Sequence, residues 1–160
     1  AAVKPGSVNG DIVLNADIAP LFLDLAGVPV PADMQGRSFL PLLKGEEVDD
    51  WPQSMYYRYW EHDDPEHHAP AHYGVRTHEY LYIVYYNDGL GSPGSSERIM
   101  PTEYELYDLV KDPAELHNVV DDPAYAEVRA QMEAELARLQ DKYRDEPYRG
   151  PDTPRLDWSR

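Results

Sequence analysis

Cysteine is absent from the 160 residues. That excludes disulfides, thiolate metal sites and a cysteine nucleophile. It does not choose a compartment, because a chain without thiols suits either redox condition. Basic residues are scarce: 14 Lys and Arg stand against 30 Asp and Glu, a formal net charge of −16. Phosphate binding needs clustered cations, so this balance argues against nucleic acid and against docking on an anionic membrane. No apolar run approaches the roughly 18–20 residues that span a bilayer. Ala1 to Gly10 carries neither an initiator Met nor a signal peptide, so the chain is expected to begin inside something larger. Gly89-Leu90-Gly91 lacks the third glycine and the following helix of a phosphate cradle, and no serine sits in a G-x-S-x-G elbow. What is present, 42% apolar and 11% aromatic residues, suffices for one ordinary core, or one domain with a small appendage.

The first stretch holds turn chemistry at Pro5, Gly6, Asn9 and Gly10, then a short apolar run at Ile12 to Leu14. Asn15 is placed as an N-cap for a helix carrying Ile18, Leu21, Phe22, Leu25 and Ala26, which Gly27 stops. This helix is apolar on more than one side and expects neighbours on more than one side. Ser38 is expected to cap a short helical segment that Gly45 ends. Composition shifts near residues 46–53, an acidic linker.

Beyond it, Met55 to Trp60, His72 to Arg76, Tyr80 to Tyr86 and Tyr104 to Leu109 read as four strands. Thr77, His78 and Glu79 supply a tight turn between the second and third. Residues 87–102 read as a long Gly/Ser loop. Tyr125, Val128, Met132, Leu136, Leu139 and Tyr143 form one stripe on a long helix, expected to cover one face of the sheet. Residues 145–160 read as a polar tail with Trp158 its only large anchor.

Two constellations could carry chemistry. His62, His67, His68 and His72 lie near Asp63, Asp64 and Glu66, a ligand-rich loop that matches no zinc spacing. The alternative is a solvated loop whose histidines titrate independently. In His72-Tyr73-Gly74-Val75-Arg76-Thr77, period-2 alternation puts His72, Gly74 and Arg76 on one face. They could present cations to an anionic ligand; equally, Arg76 could pair with a surface carboxylate. The many tyrosines could stack on sugars or simply pack the sheet.

Several segments, in order, carry a resemblance. They are Val3-Lys4-Pro5-Gly6-Ser7, Asn15 to Gly27 and Gln35-Gly36-Arg37-Ser38-Phe39-Leu40-Pro41-Leu42-Leu43-Lys44-Gly45. Tyr73-Gly74-Val75-Arg76-Thr77 and Glu105 to Asn118 complete the set. The ordered set resembles the C-terminal third of a type I sulfatase. Within that family it is most similar to bacterial enzymes of the N-acetylglucosamine-6-sulfatase kind.

The resemblance implies an α/β, alkaline-phosphatase-like fold, locally α+β. Residues 1–45 would be the last elements of the large domain and 46–53 the linker. Residues 54–144 would be a four-stranded antiparallel sheet packed by a long C-terminal helix, and 145–160 the tail. It implies hydrolysis of sulfate esters of a sulfated sugar by the intact enzyme, in a periplasmic or extracellular setting. The family's formylglycine nucleophile comes from a C/S-x-P-x-R motif and works with a divalent cation, usually calcium. This chain has no such motif and lacks the family's Asp metal ligands. It is therefore expected to bind no cofactor itself, to be inactive alone, and to partner the N-terminal catalytic portion. By resemblance, His72 contacts the sugar, with Arg76 a second candidate. Leu81 stands where many relatives carry Lys. The alternative is a stand-alone, non-catalytic module for an anionic glycan or a protein partner.

Overall fold

The computed structural model describes residues 3–159; residues 1, 2 and 160 of the expected end segments lie outside the described residues. These fall into two compact units, the first ending at Met55 and the second beginning at Tyr56, just past the expected 46–53 linker.

In the first unit, a 3₁₀ turn Asn15–Asp17 leads into α1, Ile18–Leu25, and a second helix, α2, spans Leu40–Lys44. The start of this segment is held by Asp17 rather than by the expected cap Asn15. Its carboxylate accepts the Leu14 N–H at 2.8 Å and the Arg37 N–H at 2.7 Å. An acceptor at a helix start satisfies donors that have no partner within the helix. The same contact brings residues 35–37 against the chain at Ala16. A Cβ on Gly36 would lie 2.0 Å from the Ala16 carbonyl oxygen, so only glycine fits there. Of the apolar residues on α1, Leu21 is buried while Phe22 is 63% and Leu25 56% exposed. Ser38 accepts the Leu40 N–H at 3.3 Å and donates to Asp24 at 2.6 Å, and Gly45 ends α2 in the left-handed region.

The strands are β1 (Ser54–Tyr59), β2 (His72–Thr77), β3 (Tyr80–Tyr85) and β4 (Glu103–Asp108), in sheet order β1-β2-β3-β4. β2 and β3 pair antiparallel with Gly74 opposite Ile83, and β3 and β4 with Ile83 opposite Glu105. Each strand lies within a residue or so of its expected place, because alternation and turn residues mark strands directly. One face carries Tyr73, Val75, Tyr82, Val84 and Leu106. It is covered by α3 (Ala126–Tyr143), which contributes Met132, Leu136 and Leu139 from its expected stripe. Each such buried side chain contributes about 1.5–3 kcal/mol relative to exposure. The opposite face carries Leu81 and Ile83, with Tyr57, Tyr85 and Tyr107 packed on its apolar patch.

The last segment corrects the expectation of a tail anchored only by Trp158, which is 61% exposed. Asp145 accepts Arg58 Nη1 at 2.6 Å and also the Tyr56 hydroxyl. Tyr148 packs near Tyr86, Thr153 is buried, and Leu156 N–H donates to the Leu90 carbonyl at 2.9 Å. Polar residues can dock a segment through such pairs without any hydrophobic pattern in the sequence.

Candidate functional site

The site builds from the β-face opposite α3. His72 opens β2 and its register partner Tyr85 closes β3. Three tyrosine rings frame the imidazole. Tyr59 stacks at 5.5 Å between centroids, Tyr57 meets it edge-on at 5.7 Å, and Tyr85 lies tilted at 5.1 Å. His72 Nδ1 is 2.7 Å from the Pro70 carbonyl oxygen. A carbonyl only accepts, so Nδ1 carries the proton and Nε2 is left as the nitrogen that can meet a ligand. Fixing one ring nitrogen in this way fixes both the orientation and the tautomer of the other.

The surrounding phenols stay protonated well into alkaline pH. Burial, reinforced by the Glu115 and Glu105 carboxylates, pushes Tyr57 up to about 12. Burial first, then its hydrogen bond to Glu105 at 2.9 Å, pushes Tyr85 upward as well. The frame is thus neutral, aromatic and hydrogen-bonding, a surface that can receive a sugar face.

Gly74 serves this frame in a way the sequence did not indicate. A Cβ there would lie 2.9 Å from the Tyr57 ring and 2.8 Å from the Tyr82 carbonyl oxygen. The space that the missing side chain leaves is filled by Tyr57, not held open for a ligand. Arg76 shares the face, but Nη1 is 3.0 Å from Glu115, in a pair whose side chains are 44% and 35% exposed. It stands four steps along the strand from His72, about 13 Å of rise. The structure therefore gathers Tyr57, Tyr59 and Tyr85 around His72 and leaves Arg76 apart, with its charge offset by a carboxylate. The signal for the tyrosines was the same period-2 alternation that placed His72. It could not tell a ring over the site from a ring in the core.

The His-rich loop does not converge. Asp64 organises it, accepting the Glu66 and His67 N–H groups at 3.0 Å and the Tyr59 hydroxyl at 3.3 Å. Burial acts to raise the Asp64 carboxyl, but these N–H groups and His67 override it and hold it below its usual value. His68 pairs with Asp63, His72 with Pro70, and His62 is fully buried. His62 Nδ1 accepts the Ala71 N–H at 3.2 Å, which puts the imidazole proton on Nε2 and leaves no lone pair there for a metal. Among the described residues no three His, Asp or Glu side chains are grouped to hold a metal ion.

A meander of four antiparallel strands with one face under a long C-terminal helix is the arrangement of the C-terminal domain of alkaline-phosphatase-like sulfatases. The chain belongs to the N-sulphoglucosamine sulphohydrolase C-terminal family, whose model matches residues 1–142. It is 38% identical over 146 residues to the N-acetylglucosamine-6-O-sulfatase of Bacteroides thetaiotaomicron, covering 90% of this chain and 24% of that protein. A solved sulfatase structure in complex with its substrate D-glucosamine-2-N,6-O-disulfate matches with 36% identity and a TM-score of 0.78. That match covers 89% of this chain and 26% of the other. The phosphonate monoester hydrolase of Silicibacter pomeroyi matches at 23% identity with a TM-score of 0.67, covering 90% of this chain and 28% of that one; it shows the fold alone. The chain spans about a quarter of the length of that N-acetylglucosamine-6-O-sulfatase. No helix among the described residues is long and apolar enough to cross a membrane.

Proposed function

We propose that this chain acts as the C-terminal domain of a sulfatase that hydrolyses sulfate esters of a sulfated sugar, with His72 forming part of the substrate pocket. The observation that carries the reading is the identity to N-acetylglucosamine-6-O-sulfatase along nine-tenths of the chain. The presentation of His72 Nε2 within the tyrosine frame supports it. As the neutral ring, Nε2 accepts a hydrogen bond from a sugar hydroxyl; when protonated, it donates one.

The residues of this chain do not fit the calcium and formylglycine of the family. There is no Cys, no C/S-x-P-x-R motif and, among the described residues, no grouped ligand set. Both groups are therefore assigned to an N-terminal catalytic portion of the same enzyme, where the cation would polarise sulfate oxygens when bound. Two arginines of the sheet are also committed elsewhere: Arg58 to Asp145, and Arg76 to Glu115. What this chain supplies is scaffold, orientation of the sugar and shelter from water. The exposed Ile18, Phe22 and Leu25 suit burial against that preceding portion.

The test is sulfate release from N-acetylglucosamine-6-sulfate by the polypeptide as its gene encodes it. His72→Ala is expected to lower kcat/KM by about 10- to 100-fold, the loss of one buried hydrogen bond to substrate with some misorientation. Residues 1–160 alone should release none. Turnover by residues 1–160, or an unchanged kcat/KM in His72→Ala, would overturn the reading.

A further inference from the structure

We infer that the loop after β3, together with Arg155, forms a second sugar-binding subsite that selects an uncharged, unsulfated saccharide unit. An open pocket of about 450 Å³ is lined by Asp88, Ser92, Ser95, Ser96, Glu97 and Arg155, among others. That volume lies within the roughly 300–1,000 Å³ typical of small-molecule sites. Asp88 is only 2% exposed. Its Oδ1 is satisfied twice, by the Leu90 N–H at 2.8 Å and by the Arg155 guanidinium. Its Oδ2 is buried and has no hydrogen-bond partner. An unmatched buried carboxylate oxygen is costly, and a hydroxyl that displaced its cover from the pocket side would relieve that cost.

The remaining polar groups complement that acceptor. Ser95 Oγ already accepts the His62 N–H at 2.9 Å, and Ser96 Oγ the Arg98 N–H at 3.1 Å. Each therefore keeps its hydroxyl proton to donate. Arg155 is about half exposed and has further N–H groups beyond the one on Asp88. A carboxylate acceptor, guanidinium donors and hydroxyls side by side match neighbouring hydroxyls on one sugar ring. Leu90 and Ile99 add apolar surface for its C–H face.

Charge decides what kind of sugar. Asp88 and Arg155 cancel, and Glu97 leaves the lining with one net negative charge, in a chain of net −16. A sulfate group would be repelled here; a neutral ring would not. The pocket also lies at the right end of the sheet. Asp88 follows Tyr85, the register partner of His72, by three residues, at most about 10 Å of chain. The pocket and His72 therefore lie at the same end of the sheet. The inference rests on the reading of His72 only for the class of ligand.

The test uses neutral N,N′-diacetylchitobiose and saturation-transfer NMR on the polypeptide as its gene encodes it. Transfer to the sugar is expected. Arg155→Leu and Asp88→Asn should each weaken it about tenfold or more, the effect of losing one charge-assisted hydrogen bond. Arg155→Lys should retain part of the signal. Arg155→Leu leaves Asp88 in place and keeps the inference falsifiable should the Asp88 variant misfold, and near-UV circular dichroism should be unchanged throughout. No transfer to the disaccharide would overturn the inference. So would transfer that only His72→Ala abolishes, or displacement by inorganic sulfate at matched ionic strength. None of these results touches sulfate release, so this inference and the proposed function fail separately.

Discussion

Replacing Gly74 by Ala tests the geometry of the histidine frame directly. The new Cβ would lie 2.8 Å from the Tyr82 carbonyl oxygen and 2.9 Å from two atoms of the Tyr57 ring. The first neighbour is backbone in β3, paired on both sides, and cannot retreat without disturbing two ladders. The second is a side chain that can rotate, but only by leaving its edge contact with His72 at 5.7 Å. Overpacking of this kind costs about 1–3 kcal/mol. For a unit of this size that lowers Tm by about 4–8 °C per kcal/mol. Urea and thermal unfolding of Gly74→Ala against the parent would read it. Tyr57→Leu combined with Gly74→Ala separates the two contacts, because removing the ring relieves only one of them. The double variant should recover part of the loss and no more. An unchanged Tm in Gly74→Ala would refute the claim that glycine is required for Tyr57 to lie over β2. Full recovery in the double variant would refute the backbone part of the clash.

Tyr57 should also mark the alkaline limit of the fold. Its pKa rises from about 10 unfolded to about 12 folded, so the folded state holds the proton more tightly. Its contribution is fully present below about pH 10 and is lost as pH climbs through 12, at about 1.4 kcal/mol per pH unit. Urea midpoints across that range should fall less steeply in Tyr57→Phe. Leu136→Ala should cost about 2–5 kcal/mol by leaving a cavity between α3 and the sheet, while Leu116→Ala, at a residue 74% exposed, should stay within about 0.5 kcal/mol. Equal losses in those two leucines would contradict the placement of the core. Gly36→Ala puts a Cβ against the Ala16 carbonyl, so limited proteolysis should show loosening of the first unit while the sheet stays protected.

The strands and α3 were legible because their periods are local. Alternation fixes which strand residues share a face, and 3.6-residue spacing gathers Met132, Leu136 and Leu139. His72 was marked as a candidate site residue by resemblance and alternation together. Its partners were not, since Tyr57, Tyr59 and Tyr85 look in sequence like any sheet tyrosine. The start of α1 was misassigned because Asn15 fits the cap pattern, whereas the acceptor that works, Asp17, answers a donor twenty residues away at Arg37.

By itself, then, the chain's amino-acid order determined the elements, their faces and the family, because those depend on neighbours in sequence. Only the tertiary structure decided which face received the helix and which the histidine, and that Arg76 is offset by Glu115. It alone showed that the last segment docks through Asp145, and that Asp88 is buried beside Arg155 with one oxygen unmatched. These are pairings between residues tens of positions apart. Any of the thirty acidic side chains could have made them, and only the packed backbone chooses among so many equivalent charges.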